Sequence, residues 1–371
     1  MKIASVETFP LFYPLKRPYG DANGLKHYRS LFLFRITTQS GIVGWGECAD
    51  WLPVLKKGFE DRIIPYLIGK PALNRLQLVN HIQQWHQRAA SGVSMALTEI
   101  AAKYAGLSIC DLWGGSWRNS IPVYASFQSY SDREDWEQHS LGIVKKAAIS
   151  GFKQVKVKVG GKTFKEDLSH IQKLQGQLSG SCDLILDANQ SYDLAAAREW
   201  EKVFSKSDNF SWFEEPLPMN RVGDYKMLRS SLSVPLAGGE NLKNSKDFLP
   251  LLREGALDIT QPDPAHEVGM DEYRHTLSFS RSFGSRTSPH TYDGALSRLY
   301  ALFAQACLPP WSKMEKEDIE PVEWDVMDNP FTSITPVQVV AGKVTIPVGT
   351  GIGLELDEQI LKRYRWDGAL Y

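Results

Sequence analysis

The sequence predicts an α/β fold: a closed parallel barrel accompanied by a smaller α+β unit. Three observations lead there. Seven polar residues, Lys158, Asp187, Glu214, Glu240, Asp263, His290 and Glu315, recur every 23 to 29 residues, the length of one strand plus one helix. From Ile121 onward, short apolar runs alternate with amphipathic stretches, which implies parallel strands joined by helices. At 371 residues, the chain also exceeds the roughly 250 of a minimal barrel by enough for a second unit.

Taken in order, residues 2–48 hold two strand-like runs, the second being Leu31-Phe32-Leu33-Phe34-Arg35-Ile36. A polar loop over residues 16–29 is expected to join them, and a turn at Ser40-Gly41 follows, so this region reads as an antiparallel sheet. Helical periodicity then takes over between Leu52 and Leu112, through Met95, Ile100, Ala101, Tyr104 and Ala105, and stops at Gly114-Gly115. Apolar runs at 121–124, 155–159, 184–186, 210–213 and 257–260 next alternate with amphipathic segments such as 132–150 and 163–178. About eight such units close a barrel. Beyond Asp328, the runs 337–340 and 344–347 are expected to return to the N-terminal sheet.

Composition excludes several classes. The 42 basic and 43 acidic residues nearly cancel, so no nucleic-acid partner is expected. No apolar run approaches a membrane span, and the N-terminus alternates like a strand rather than a signal peptide. Cys48, Cys110, Cys182 and Cys307 show no CxxC spacing, and a reducing cytoplasm is the expected location.

The chemistry lies in the seven recurring residues, which a barrel gathers on one rim. In Gln154-Val155-Lys156-Val157-Lys158-Val159 the valines share one face and the lysines the other. On an open sheet those lysines would be solvated; in a barrel strand they point into the lumen. Two neighbouring ammoniums beside a divalent metal are expected to lower the pKa of Lys158 toward the working pH, making it a base. Asp187 alone reads as a helix cap, but Glu214 and Glu240 repeat its placement on the next two strands. Three such carboxylates are costly unless a cation neutralises them, and an all-oxygen set favours Mg2+ over zinc. Asp263 and His290 end consecutive strands, where a carboxylate on one ring nitrogen raises the basicity of the other. The remaining histidines, His27 apart, are expected to be structural. Glu315 closes the series.

This set resembles the enolase superfamily and, within it, the mandelate racemase subgroup, over essentially the whole chain. The resemblance implies a (β/α)7β barrel over residues 119–327 and a cap built from residues 1–118 completed by 328–371. It implies that Asp187, Glu214 and Glu240 hold one Mg2+ per subunit and that Lys158 is the base on one face of the substrate. Asp263 and His290 would be the dyad on the other face, with Glu315 and Lys156 at the substrate carboxylate. The family is commonly oligomeric, so a homo-oligomer is expected. Two places depart from its pattern. After Asp263 the chain reads Pro264-Ala265-His266-Glu267-Val268-Gly269-Met270 where many relatives carry a lysine and a Gly-Gly-x-Thr turn, and residues 97–106 lack the usual Trp-Asp and Gly-Lys. Gly349-Thr350-Gly351-Ile352-Gly353 lacks the Lys-Ser/Thr and helix of a phosphate loop and reads as a turn.

Removing the weakly acidic proton α to a carboxylate creates an enediolate, whose second charge Mg2+ and Lys156 would stabilise. With a β-hydroxyl present, protonated His290 expels it as water; without one, a returned proton gives racemisation or epimerisation. Tyr19, Asp21, Asn23, Lys26, His27, Tyr28, Arg29, Asp50 and Trp51 form polar candidate loops over the pocket. Of these, Tyr19, Lys26, His27, Arg29 and Trp51 are the substrate contacts expected, and Lys26 or Arg29 would meet a second carboxylate. The expected function is dehydration of an acid sugar to a 2-keto-3-deoxy acid. The alternatives are a racemase or epimerase of a 2-hydroxy or amino acid, and a non-catalytic metal-binding barrel.

Overall fold

The computed structural model describes residues 1–178, 180–314 and 318–371. Strands β1 (Ile3–Asp21), β2 (Gly24–Thr38) and β3 (Val43–Cys48) form an antiparallel sheet in the order β3-β2-β1. Aromatic and branched residues face one another across it, Phe9 opposite Leu33 and Leu11 opposite Leu31. The polar stretch expected as a loop over residues 16–29 is instead hairpin: the pairing continues to Asp21 opposite Gly24, leaving a two-residue turn. Its polar side chains do not prevent this, because the strand needs only backbone partners and finds them on two sides. Tyr19 and Gly20 also pair with the short strand β5 (Tyr130–Ser131), which joins this sheet at the free edge of β1 from the loop after the first barrel strand. Gly20 is required there, since a Cβ would lie 1.9 Å from the carbonyl oxygen of Gly24.

Helix α1 (Leu52–Gly58), a five-residue π turn (Phe59–Ile63), α2 (Ile64–Leu67), α3 (Arg75–Ile82), α4 (Gln87–Ala105) and α5 (Ile109–Leu112) complete this region. α4 lies so close to β3 that a Cβ on Gly44 would sit 2.1 Å from the carbonyl oxygen of Ala96. Its Ala, Ser and Gly content permits that contact.

The barrel follows as β4 (Ser120–Ser126), β5, α6 (Trp136–Ile149), β6 (Gln154–Lys158), α7 (Phe164–Leu178), β7 (Asp183–Asp187), α8 (Leu194–Glu199) with α9 (Glu201–Phe204), and β8 (Phe210–Glu214). Next come α10 (Val222–Arg229), β9 (Leu236–Gly238), α11 (Ser245–Arg253), β10 (Ile259–Thr260), α12 (Met270–Ser282), β11 (Arg286–Thr287), α13 (Leu296–Cys307) and β12 (Val322–Asp325). The parallel sheet runs β11-β10-β9-β8-β7-β6-β4-β12, with β12 paired to β4. At the remaining edge the amide of Glu323 donates to the carbonyl of Pro289 (3.2 Å), and the Ser288 hydroxyl to the carbonyl of Pro321 (2.7 Å). The order of elements is that of a (β/α)7β barrel.

The strand-like run near residue 344 does not return to the N-terminal sheet. As β13 (Lys343–Thr345) it pairs antiparallel with the start of β4, where Val344 is buried. The chain reaches the N-terminal sheet only after helix α14 (Glu358–Arg363): the amide of Phe12 donates to the carbonyl of Tyr364, and that of Trp366 to Pro10. Among the described residues no helix is long and apolar enough to cross a membrane.

Cap and barrel are joined by one buried carboxylate. Glu47, on β3, accepts from the amides of Ala295 (3.1 Å), Leu296 (2.8 Å) and Ser297 (2.6 Å), the opening turn of α13. An anion at a helix N-terminus satisfies amides that have no partner within the helix. Each buried amide left unpaired costs about 1–3 kcal/mol. Glu47→Ala should therefore lower stability by at least about 2 kcal/mol, read as a fall in the urea midpoint, and Glu47→Gln, which keeps one acceptor, by less.

A second prediction concerns His170 on α7, buried against α6 with Nε2 at 2.9 Å from the Ser140 hydroxyl. Burial pulls its pKa from 6.5 down to about 4. The unfolded chain thus takes up a proton that the folded chain refuses, and stability present above pH 6.5 is lost as pH falls toward 4. The gap corresponds to about 3 kcal/mol. In His170→Gln, which cannot titrate, that part of the acid destabilisation should vanish when midpoints are compared at pH 7 and pH 4.5.

Candidate active site

The strand ends bring the predicted residues together. Asp187, Glu214 and Glu240 each present a carboxylate oxygen within 4.8 Å of the others. Local backbone aims them. The amide of Asn189 donates to Asp187 Oδ1 (2.9 Å), and Glu214 Oε2 accepts from Trp212 Nε1 (3.0 Å) and Gln261 Nε2 (2.8 Å). Asn189, Gln190 and Glu215 all take positive φ, at 43°, 65° and 37°, a conformation that costs non-glycine residues energy and that clusters at functional sites. Of the adjacent pair of glutamates, Glu214 faces the lumen. Glu215 turns aside to accept from the amide of Gly239 (3.0 Å) and from Gln190 Nε2 (2.7 Å).

Both lysines of β6 are buried in the lumen. Lys156 Nζ lies 2.7 Å from Glu214 Oε1, 2.8 Å from Glu323 Oε1 and 3.4 Å from Asp187 Oδ2, and Lys158 Nζ donates to Asp187 Oδ2. Burial and Lys156 pull the pKa of Lys158 down, but among the protein's own charges the Asp187 carboxylate in contact, together with Asp21 and Glu240, holds it above its ordinary value; the fall expected of Lys158 applies to a site with a divalent metal beside the two lysines. The same lysines keep Asp187 well below the usual carboxylate range in spite of its burial.

Across the mouth, His290 Nδ1 lies 2.6 Å from Asp263 Oδ2, so the dyad is present. His290 Nε2 faces Glu240 Oε2 at 3.2 Å and Glu323 Oε2 at 3.3 Å. Burial pulls the imidazole down, yet these three carboxylates raise its pKa to about 10.

Glu315 lies outside the described residues. The carboxylate that the eighth strand brings into the lumen is Glu323, bonded to Lys156 and beside His290. Equal spacing favoured Glu315 and missed it. The available signal was local: Val322-Glu323-Trp324-Asp325 alternates as a strand does, whereas Lys313-Met314-Glu315-Lys316 does not.

A cavity of about 160 Å3 opens between this rim and the cap, lined by Lys158, Glu240, Asp263 and His290 below and by Asp21, Lys26 and Arg88 above. Of the five expected substrate contacts only Lys26 lines it. Arg29 is buried and committed: Nε donates to the Tyr19 hydroxyl (2.7 Å), Nη2 to Tyr292 (2.7 Å) and Asp325 (3.0 Å), and Nη1 to Asp293 (2.5 Å). It pins the hairpin to the barrel loops, with four of its five N–H donors spent there. Tyr19 is held in the same cluster, its hydroxyl also donating to the carbonyl of Asp328 (3.1 Å). His27 is exposed beside an outer pocket of about 360 Å3, and Trp51 is exposed at the start of α1. A hairpin, unlike a loop, sends alternate residues to opposite faces, which is why a contiguous polar stretch does not line one pocket.

His266 is a further residue that the sequence reading set aside as structural. It lines the cavity, its ring 6.2 Å from that of His290, with Nδ1 at 2.7 Å from the carbonyl oxygen of Glu240. A carbonyl only accepts, so Nδ1 carries the proton and Nε2 is left as an acceptor. The departure after Asp263 positions this ring. Ser91 and Gln87 of α4 bond the carbonyls of Pro264 and His266, and the Met270 amide donates to the Ser94 hydroxyl (2.8 Å).

The residues present suit Mg2+. The donor set is all carboxylate, and carboxylates outnumber cations: Asp187, Glu214, Glu240, Asp263 and Glu323 face two lysines and one histidine. Burial, with Asp187 and Glu323 adding and Lys156 opposing, pushes Glu214 up to about 7. A site that strains to protonate its carboxylates is one that a divalent cation relieves.

Comparison with known proteins agrees. Residues 4–114 match the mandelate racemase / muconate lactonizing enzyme N-terminal domain, and residues 142–360 the enolase C-terminal domain-like family. The chain is 30% identical to D-galactarolactone cycloisomerase of Agrobacterium fabrum over 98% of this chain and 99% of that one. Against arabinonate dehydratase of Saccharolobus solfataricus it is 27% identical over the same shares. The solved 3,6-anhydro-D-galactonate cycloisomerase of Zobellia galactanivorans superposes with a TM-score of 0.85 at 25% identity, covering 99% of this chain and 100% of that one. The chain belongs to the enolase superfamily, in the mandelate racemase and muconate lactonizing enzyme group. It is an enzyme of that superfamily, whose members bind Mg2+.

Saturating Mg2+ should raise the melting temperature of the wild-type chain, since a ligand at 100 times its Kd adds about 2.7 kcal/mol. In Glu240→Gln, with one ligand oxygen made neutral, the shift at the same Mg2+ concentration should largely disappear.

Proposed function

We propose that the chain removes the proton α to the carboxylate of an acid sugar and then expels the β-hydroxyl as water, giving a 2-keto-3-deoxy acid. The observation that carries this reading is that Lys158 and the Asp263–His290 dyad border one cavity together with Glu240, whose carboxylate lies within 4.8 Å of those of Asp187 and Glu214. Bound at the triad, Mg2+ would supply counter-charge to the substrate carboxylate. Lys156, buried between Glu214 and Glu323, is placed to hold the second charge that develops as the proton leaves. Lys158 would take the proton once the Asp187 carboxylate that otherwise holds it protonated is neutralised by Mg2+. His290, its Nδ1 fixed by Asp263, presents Nε2 to the cavity as the group that protonates the departing hydroxyl. The polar cap side, with Asp21, Lys26 and Arg88, suits a hydroxylated substrate better than an aromatic one. Two relatives support the substrate class: one is an arabinonate dehydratase, the other a D-galactarolactone cycloisomerase. The latter makes cycloisomerisation the second reading, and racemisation would use the same two bases.

Acid sugars, their lactones and 2-hydroxy acids incubated with the Mg2+-loaded enzyme in heavy water separate these readings by mass spectrometry. Water loss from an acid sugar is the expected result. Deuterium gain without change of formula from a lactone, with ring opening, moves the assignment to cycloisomerase; from a 2-hydroxy acid, to racemase. Lys158→Ala and His290→Ala should each lower kcat by about 10^2- to 10^4-fold, the usual worth of a positioned acid or base.

A further inference from the structure

We propose that Arg88 and Lys26 form a second anion site at the cap side of the cavity, so that the substrate is a dicarboxylic sugar acid held at both ends. The inference rests on the proposed function, because the first carboxylate must sit at the triad and Lys156. Its observations are otherwise its own.

Arg88 stands where local electrostatics disfavour it. It lies in the first turn of α4, a helix with no acidic residue in that turn, so its charge adds to the partial positive charge of the helix end. Its one hydrogen bond is from Nη1 to the carbonyl oxygen of Ala49 (2.6 Å). That contact orients the guanidinium and leaves most of its donors free. Among the described residues no carboxylate lies within 4.0 Å of it. Lys26, reaching in from β2, is likewise without a carboxylate within 4.0 Å, and its Nζ stands over the Tyr292 ring at 4.5 Å from the centroid. Both border the same cavity as Lys158 and Glu240, but from the cap rather than from the strand ends.

The acidic residues near these cations are engaged elsewhere. Glu47 is saturated by the three amides of α13, Asp21 acts on Lys158, and Asp293, paired with Arg29 at 2.5 Å, also feels Lys26 without touching it. Arg88 and Lys26 are therefore two cap cations on this wall that no carboxylate among the described residues meets within 4.0 Å. A planar guanidinium with open donors matches a carboxylate, which accepts two parallel hydrogen bonds.

The test compares acids that differ only at the far end. Calorimetric titration of the Mg2+-loaded Lys158→Ala protein, in which turnover is slowed about 10^2- to 10^4-fold, with galactarate against galactonate, and glucarate against gluconate, reads the contribution of the second carboxylate. At least one diacid should bind about tenfold or more tightly than its monoacid, as expected for hydrogen bonds to a charged group. Adding Arg88→Gln should remove most of that preference, and Arg88→Lys should keep part of it; Lys26→Met should weaken it. Equal binding of diacid and monoacid overturns the second site while leaving the proposed function intact. A preference untouched by both Arg88 substitutions, with melting temperature and Mg2+ affinity preserved, overturns the assignment to Arg88. Failure of every acid to bind overturns both readings together.

Discussion

Carboxylates gathered out of water in the same few ångströms are the constraint on which the rest of this molecule depends. No core of aliphatic side chains tolerates them unaided: their mutual repulsion and lost hydration must be answered at once. Lys156 answers three of them from the lumen, at 2.7 to 3.4 Å, and is fully buried for that purpose. The left-handed residues Asn189, Gln190 and Glu215 are the backbone's share, bending the strand ends so that amides and side chains meet the oxygens. What remains unbalanced is negative, and it gives the rim its affinity for a cation. The closed sheet makes the arrangement possible because strands ending together deliver side chains to one place without any loop having to find it.

Much of this was legible in the sequence because barrel geometry converts spacing into proximity. Lys156, Lys158, Asp187, Glu214, Glu240, Asp263 and His290 each sit at the end of an apolar run, and in a parallel barrel that position alone fixes where they go. Three places show where the rule stops. Equal spacing selected Glu315, which lies outside the described residues, and passed over Glu323: the connection before β12 is longer than the others, and only the alternation around Val322 marks that strand. Polar composition suggested a loop over residues 16–29, but composition does not report backbone pairing, and β1 has partners on both sides there. The lowered pKa expected of Lys158 counted its neighbouring lysine and a divalent metal; the Asp187 carboxylate that touches it, which no spacing announces, acts the other way. Arg88 and His266 were invisible for a further reason: each reaches the cavity through contacts between regions far apart in the chain, which no local pattern encodes.

The two parts of the molecule divide the work. Residues proposed to handle protons and the cation all come from strand ends, whereas the cavity's other wall is built from the hairpin and the first turn of α4. Arg29 holds these pieces in register. Its guanidinium binds Tyr19 of its own hairpin and the Tyr292, Asp293 and Asp325 side chains of the barrel, so the hairpin's position is set relative to His290, two residues before Tyr292.

Glu47 gives that division an evolutionary consequence. Were the cap a free attachment, relatives could exchange caps to acquire new substrates while keeping a common barrel. The helix that follows the His290 strand, however, begins with three amides whose acceptor belongs to the cap. A transplanted cap that failed to present a carboxylate at that point would leave the helix uncapped beside the reacting groups. Diversification in this architecture is thus channelled toward point changes on the hairpin and α4, with the seam inherited as a unit.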